Sequence, residues 1–239
     1  MMRFIIKENI TKTPLILLAL LFIFYALMIQ FFEGSIEILI SVLPTAIILM
    51  GTATIVQTFP GIIKHDRISL ILSKPISRNE FVVQNLLGIL FTLYIYCLFG
   101  AVILELSILF KTGQIQTDLF IVFVLCPILL LFIHMLNMVV LLKFNDSAFI
   151  LFVLLYVFYF SDVLINRNKY LQSAGIDYPT TRYIVSVLHS ITPQIQSFQN
   201  MLISIIKNHS FDLYLLPSII ISIIPTTLLL FIIANKKEF

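Results

Sequence analysis

The feature that constrains this chain most is the length of its apolar runs. Residues 84–109 and 119–142 hold one acid, Glu105, and one histidine, His134, between them. Each run exceeds the roughly 20 residues that an α-helix needs to cross about 30 Å of hydrocarbon. Four further runs, at about 14–32, 37–59, 147–165 and 212–234, have the same character; the one at 147–165 is the shortest in strongly apolar residues, because Asp162 lies near its end. In lipid every backbone donor and acceptor has to be satisfied within the segment, which excludes open sheets, and the uninterrupted apolarity lacks the alternation of a membrane barrel. The expectation is an all-α, polytopic membrane protein, a single domain over 1–239 with six transmembrane helices. Of the 239 residues 60% are hydrophobic and 11% charged, too little charge to cover a water-facing surface, so an ordinary soluble enzyme is ruled out. Cys97 and Cys126 both lie in apolar runs, and neither a disulfide framework nor a metal cluster is indicated.

Charge between the runs sets the orientation. The flanks 1–13, 60–83, 143–146 and 235–239 carry Arg3, Lys7, Lys12, Lys64, Arg67, Lys74, Arg78, Lys143, Lys236 and Lys237. The opposite flanks carry Lys111, Arg167, Lys169, Arg182 and Lys207, and the basic excess places the first set, with both termini, in the cytoplasm. The expected location is the cell inner or plasma membrane. The first run opens with Thr13-Pro14, a capping hydroxyl followed by a proline whose missing N–H costs nothing in the first turn. It lacks a small-residue cleavage site and continues through Phe31-Phe32, so it reads as a retained span rather than a signal peptide.

Three segments outside the runs have a pattern of their own. Met2, Ile6 and Ile10 form one stripe, with Lys7 and Lys12 available to anionic headgroups, which suits an N-terminal interfacial helix; Phe4 and Ile5 fall off it. Within the outer segment 166–211, Thr192-Pro193 precedes Ile195, Phe198, Leu202 and Ile205 at helical spacing, so a one-sided helix over about 193–208 is expected. It would close the outer ends of the spans or gate a substrate. In the segment 60–83, Pro60-Gly61 is expected to stop the second span, Ile68, Leu70, Ile71 and Leu72 supply an apolar side, Lys74-Pro75 breaks the helix, and Ser77 with Glu80 three residues on has the pattern of a capping box. Two short cytoplasmic helices result, the second running into span three. A short helix held between two spans acts as a lever, because force on it moves both.

Leu72-Ser73-Lys74-Pro75-Ile76-Ser77-Arg78, after a short amphipathic stretch that follows span two, resembles the signature of the ABC-2 type permeases, membrane subunits of one group of ATP-binding-cassette transporters. The resemblance implies a cytoplasmic coupling helix docked on an ATPase subunit, an N-terminal elbow helix, six spans with both termini inside, and small helices between spans five and six. It implies coupling roles for Lys64, Asp66, Arg67, Leu72, Lys74, Pro75, Arg78 and Glu80. Where members commonly carry an acidic residue and a Gly-Thr pair, this chain has Lys64-His65-Asp66-Arg67-Ile68. No G-x-x-x-x-G-K-[ST] loop occurs, so ATP is expected through a separate ABC ATP-binding subunit, with no cofactor bound directly and no catalysis by this chain. Six spans form half a pore, which calls for a second copy or a related permease among membrane lipids; no nucleic-acid partner is expected. Export is the direction the family implies, and the substrate is not written in the sequence.

Six residues inside the spans stand out as a translocation path or as helix seams. Glu105 is an acid within an otherwise uncharged apolar run; it either binds a cationic group or snorkels to the nearby outer interface. His134 and Asn137 share a face of span four, as packing hydrogen bonds or as the lining of a polar cavity. Ser218, Ser222 and Thr226 recur every fourth residue beside Pro217 and Pro225, the pattern of a close-packed seam. Tyr156, Phe158, Tyr159 and Phe160 suit an interfacial aromatic belt. The competing classes are a secondary transporter, which wants mid-membrane charges and repeated halves, and a non-transporting assembly or signalling factor. An intramembrane enzyme would need paired acids, a Ser-His or Cys-His pair or H-E-x-x-H, and the sequence offers none.

Overall fold

The structure is a computed structural model that describes residues 6–7, 10, 12–31, 33–63, 77–144, 183, 195–209 and 215–236, with backbone alone at 58–63 and 215–218. Seven helices are defined there: α1 Thr13–Phe31, α2 Ile36–Ile40, α3 Leu43–Ile63, α4 Arg78–Thr112, α5 Thr117–Phe144, α6 Ile195–Asn208 and α7 Leu215–Lys236. Five helical stretches are long and apolar enough to cross a membrane: α1, α2 and α3 taken together from Ile36 to Gln57, α4, α5, and α7 from Ile219. The expected span at 147–165 and the aromatic group Tyr156 to Phe160 lie outside the described residues.

Side-chain contacts between helices fix their directions. Gln30 Nε2 donates to Ser107 Oγ at 2.6 Å and Tyr96 Oη donates to the Ile10 carbonyl at 2.7 Å, so α1 and α4 run parallel. Asn137 Nδ2 meets the Ile55 carbonyl at 3.1 Å, Thr227 Oγ1 lies 3.9 Å from Met135 Sδ, and Arg78 Nη1 meets the Asn235 carbonyl at 2.7 Å; α3, α5 and α7 therefore run together, opposite to α1 and α4. The bundle thus has an Arg78 end and a Gly113 end. Helix α5 is its centre, packed against α3, α4, α6 and α7. Helix α6 buries the stripe Ile195, Phe198, Met201, Leu202, Ile205 and Ile206 at the Gly113 end, where Gln199 Nε2 donates to Thr45 Oγ1 at 2.8 Å. Large parts of α1, α4 and α7 keep apolar side chains exposed, among them Phe24, Leu98 and Ile221, as lipid-facing helices do.

Several boundaries differ from the sequence expectation for local reasons. The run at 37–59 is interrupted at Ser41-Val42, because Pro44 has no N–H for the Ile40 carbonyl and its ring would crowd that group; Ser41 Oγ instead donates to the Ile38 carbonyl at 2.8 Å. Pro60-Gly61 does not end the second span: the backbone stays helical to Ile63. One missing hydrogen bond in a final turn is tolerated, as it is in membrane helices generally. At the start of α1 the Lys12 carbonyl takes the cap position, accepting from Leu15 and Ile16 at 3.1 Å, with Thr13 and Pro14 in the first turn. Of the N-terminal segment, Ile6, Lys7 and Ile10 are helical, Lys12 precedes α1, and Met2, Phe4 and Ile5 lie outside the described residues. Helix α4 is longer than the run at 84–109, with 35 residues covering about 52 Å. That exceeds the roughly 30 Å of hydrocarbon by several turns.

Candidate functional site

At the Arg78 end the capping reading has a defined geometry. Ser77 is extended, at φ −68° and ψ 153°, and its Oγ accepts from the Glu80 backbone N–H at 3.1 Å, so α4 starts where the serine satisfies an otherwise orphaned donor. The Glu80 side chain does not return to the cap: its Oε1 accepts from Gln84 Nε2 at 2.8 Å, one turn on. Arg78 reaches α7 and donates to the carbonyl of Asn235 in its last turn. A cation there also complements the helix dipole. Lys64, Asp66, Arg67, Leu72, Lys74 and Pro75 lie outside the described residues, so of the coupling candidates only Arg78 and Glu80 are described.

In the bundle interior, His134 and Asn137 are both 1% exposed on α5, and Asn137 tethers α3 through Ile55. Asn85 on α4 and Thr54 on α3 are also buried. Register across Asn137–Ile55 and Thr227–Met135 sets Thr54, Asn137 and Thr226 at similar depth. The hydroxyls are largely satisfied within their own helices: Thr54 Oγ1 donates to Met50, Thr92 to Gly88 and Thr226 to Ser222, each at 2.7–2.8 Å. Ser222 is buried and Thr226 half-buried, whereas the Ser218 side chain is outside the description. The Asn137–Ile55 bond is the one of these that crosses between helices, and a bond of that kind contributes about 0.6 kcal/mol in membranes.

The Gly113 end holds a denser polar group than the sequence pattern shows. Ser107 Oγ donates to the Ala26 carbonyl at 2.5 Å, Gln30 reaches back to Ser107, and Lys111 Nζ donates to the Ile29 carbonyl at 2.6 Å, tying the end of α1 to α4. Beside them, Gln116 joins two carboxylates. Its backbone N–H donates to Glu105 Oε2 at 3.2 Å and its side-chain Nε2 to Glu37 Oε1 at 3.2 Å. Glu105 is 7% exposed, and its Oε1 is a buried acceptor with no hydrogen-bond partner among the described residues. Leaving such an atom unmatched costs about 1–3 kcal/mol, more when it is charged.

On the same end His209 Nδ1 pairs with Asp118 Oδ2. His209 follows the last residue of α6 at φ 51°, a left-handed conformation that costs a non-glycine residue about 1 kcal/mol. The hydrogen bond and charge of Asp118 push its imidazole above the ordinary value of 6.5, with a smaller contribution from Glu37. Because the folded-state pKa is the raised one, this contact helps α6 dock fully below the unfolded-state pKa and is lost as pH rises through the folded value. In a histidine-selective NMR titration, His209 should titrate above 6.5 and fall back to the ordinary range in Asp118→Asn. An unchanged titration in that variant would show that the pair does not form.

Among the described residues no group of three or more His, Cys, Asp or Glu side chains could hold a metal ion. Glu37, Gln116, Asp118 and His209 were not singled out by the sequence: none lies on an apolar stripe, and their partners are far apart in the chain. In comparisons with known proteins, no family model matches the chain and no curated protein matches it significantly.

Proposed function

We propose that this chain is the membrane-spanning permease subunit of an ABC-type transporter, an exporter driven by ATP hydrolysed on a separate subunit. The observation that carries the reading is the join at Ser77. Ser77 and Arg78, the last two residues of the stretch that resembles the ABC-2 signature, open the 35-residue α4 with a formed N-cap. Force applied at residues 64–80 would be carried along a stiff helix through the whole bundle, and Arg78 would pass it to α7. Charge supports a cytoplasmic Arg78 end: among the described residues it carries Lys7, Lys12, Arg78, Lys143 and Lys236 beside Glu80, while Glu33, Glu37, Glu105 and Asp118 gather at the other end with Lys111 and Lys207.

A sixth span, at 147–165, is part of the proposal. Helix α5 finishes beside Phe81 and Val82 at the Arg78 end and α6 packs at the Gly113 end, which supports a crossing between them. A second copy or a related permease would complete the pore against the apolar faces of α1, α4 or α7. The test is association: the tagged chain in mild detergent should bring down a Walker-containing ATPase whose rate depends on residues 64–80.

A further inference from the structure

We infer that the Gly113 end holds a binding site for a lipophilic primary ammonium, with Glu105 Oε1 as its anchor. Two carboxylates are held close together by one residue, Gln116, which spends its backbone N–H on Glu105 Oε2 and its side-chain amide on Glu37 Oε1. Ser35 Oγ donates to the remaining Glu37 oxygen. Three of the four carboxylate oxygens therefore have donors, and the fourth, Glu105 Oε1, is buried with none among the described residues. A donor that carries positive charge meets both needs of that oxygen at once.

The basic groups described nearby do not serve. Lys111 Nζ donates to the Ile29 carbonyl and His209 pairs with Asp118; among the described residues no ion pair involves Glu105. A metal ion is disfavoured, because no three ligating side chains converge among the described residues and one ligand oxygen is already bonded to an amide. An ammonium asks for less: separate acceptors in different directions rather than a closed shell. Depth favours an amphiphile. Glu105 lies eight residues before Gly113, about 12 Å along the helix, and Leu106, Phe110 and Ile115 leave apolar surface exposed around that level. A cationic head would sit at the carboxylate with its chain in lipid. This site rests on its own contacts and not on the ATPase reading.

The test is calorimetric titration of dodecylammonium into nanodiscs of phosphatidylcholine alone, whose headgroup nitrogen has no N–H, with empty discs subtracted. The full chain should show one saturable site. Glu105→Gln should weaken it about tenfold or more, the loss of one charge-assisted hydrogen bond. Glu37→Gln, which keeps the Gln116 contact but removes a nearby charge, should weaken it about threefold. Dodecanol should show no saturable site. Equal affinity in wild type and Glu105→Gln, or a saturable dodecanol site of the same strength, would overturn the assignment, and so would full retention of binding in Glu37→Gln and Glu105→Gln together.

Discussion

Gly100→Leu is expected to keep α1 from seating on α4. A Cβ at Gly100 would lie 2.5 Å from Phe22 Cε2 and 2.7 Å from its Cζ, closer than real side chains approach. Phe22 has nowhere to retreat: it is 0% exposed and rests on Phe123 of α5 with ring centroids 5.5 Å apart. Even Gly100→Ala should cost about 2 kcal/mol, within the usual range for overpacking a tight core, and leucine should remove the cooperative transition. Gly51 offers the comparison. Its added Cβ would meet the δ carbons of Leu130, which is as buried as Phe22 but is a smaller, branched side chain with two torsions to adjust rather than a rigid ring, so Gly51→Ala should cost less, about half as much. Phe22→Leu combined with Gly100→Ala should recover more than half of the loss. Unfolding in mixed micelles, followed by circular dichroism, reads all four variants; equal costs at Gly100 and Gly51 would mean that the close approach of α1 to α4 does not control stability.

The second large effect separates two roles that the sequence alone assigns to one segment. Lys74 and Arg78 both belong to the stretch that resembles a coupling helix, and both should be needed for an ATPase partner. Arg78 has a further duty, since its guanidinium caps the α7 carbonyl of Asn235. Lys74→Glu should therefore abolish permease-stimulated ATP hydrolysis, about tenfold or more, while leaving the unfolding transition where it is. Arg78→Glu should lose the same stimulation and also lower stability by about 1 kcal/mol, because a carboxylate would face the negative end of α7. Arg78→Lys should restore the stability and part of the coupling. Full ATPase stimulation in both charge reversals would remove residues 64–80 from the coupling role.

How much of this was legible in the sequence depends on the range of each interaction. The apolar runs became α1, α3, α4, α5 and α7, because lipid leaves a 20-residue apolar segment little alternative to a helix. The Ser77 cap and the stripe of α6 were also readable, each depending on residues within one or two turns. Pro44 is a local signal for the break before α3, but the unbroken apolarity around it reads as one continuous span. The polar joins were not readable. Arg78 and Asn235 are 157 positions apart and Gln116 and Glu37 are 79 apart, and nothing in either neighbourhood announces the partner. Glu105 was recognisable as an acid in an apolar run, yet its half-satisfied state is a product of packing. Gly100, inside an otherwise bulky run, was a signal for close helix approach that spacing alone did not match to Phe22.

The central claim is that this bundle works through a separate ATPase, and one measurement addresses it directly. The tagged full chain is purified in a mild detergent from its native cells, co-purifying subunits are identified by mass, and ATP hydrolysis by the complex is assayed with wild type and Lys74→Glu in parallel. A stoichiometric Walker-containing subunit that is lost from Lys74→Glu is the predicted result. A chain that purifies alone in several mild detergents, with no nucleotide hydrolysis, would contradict the account.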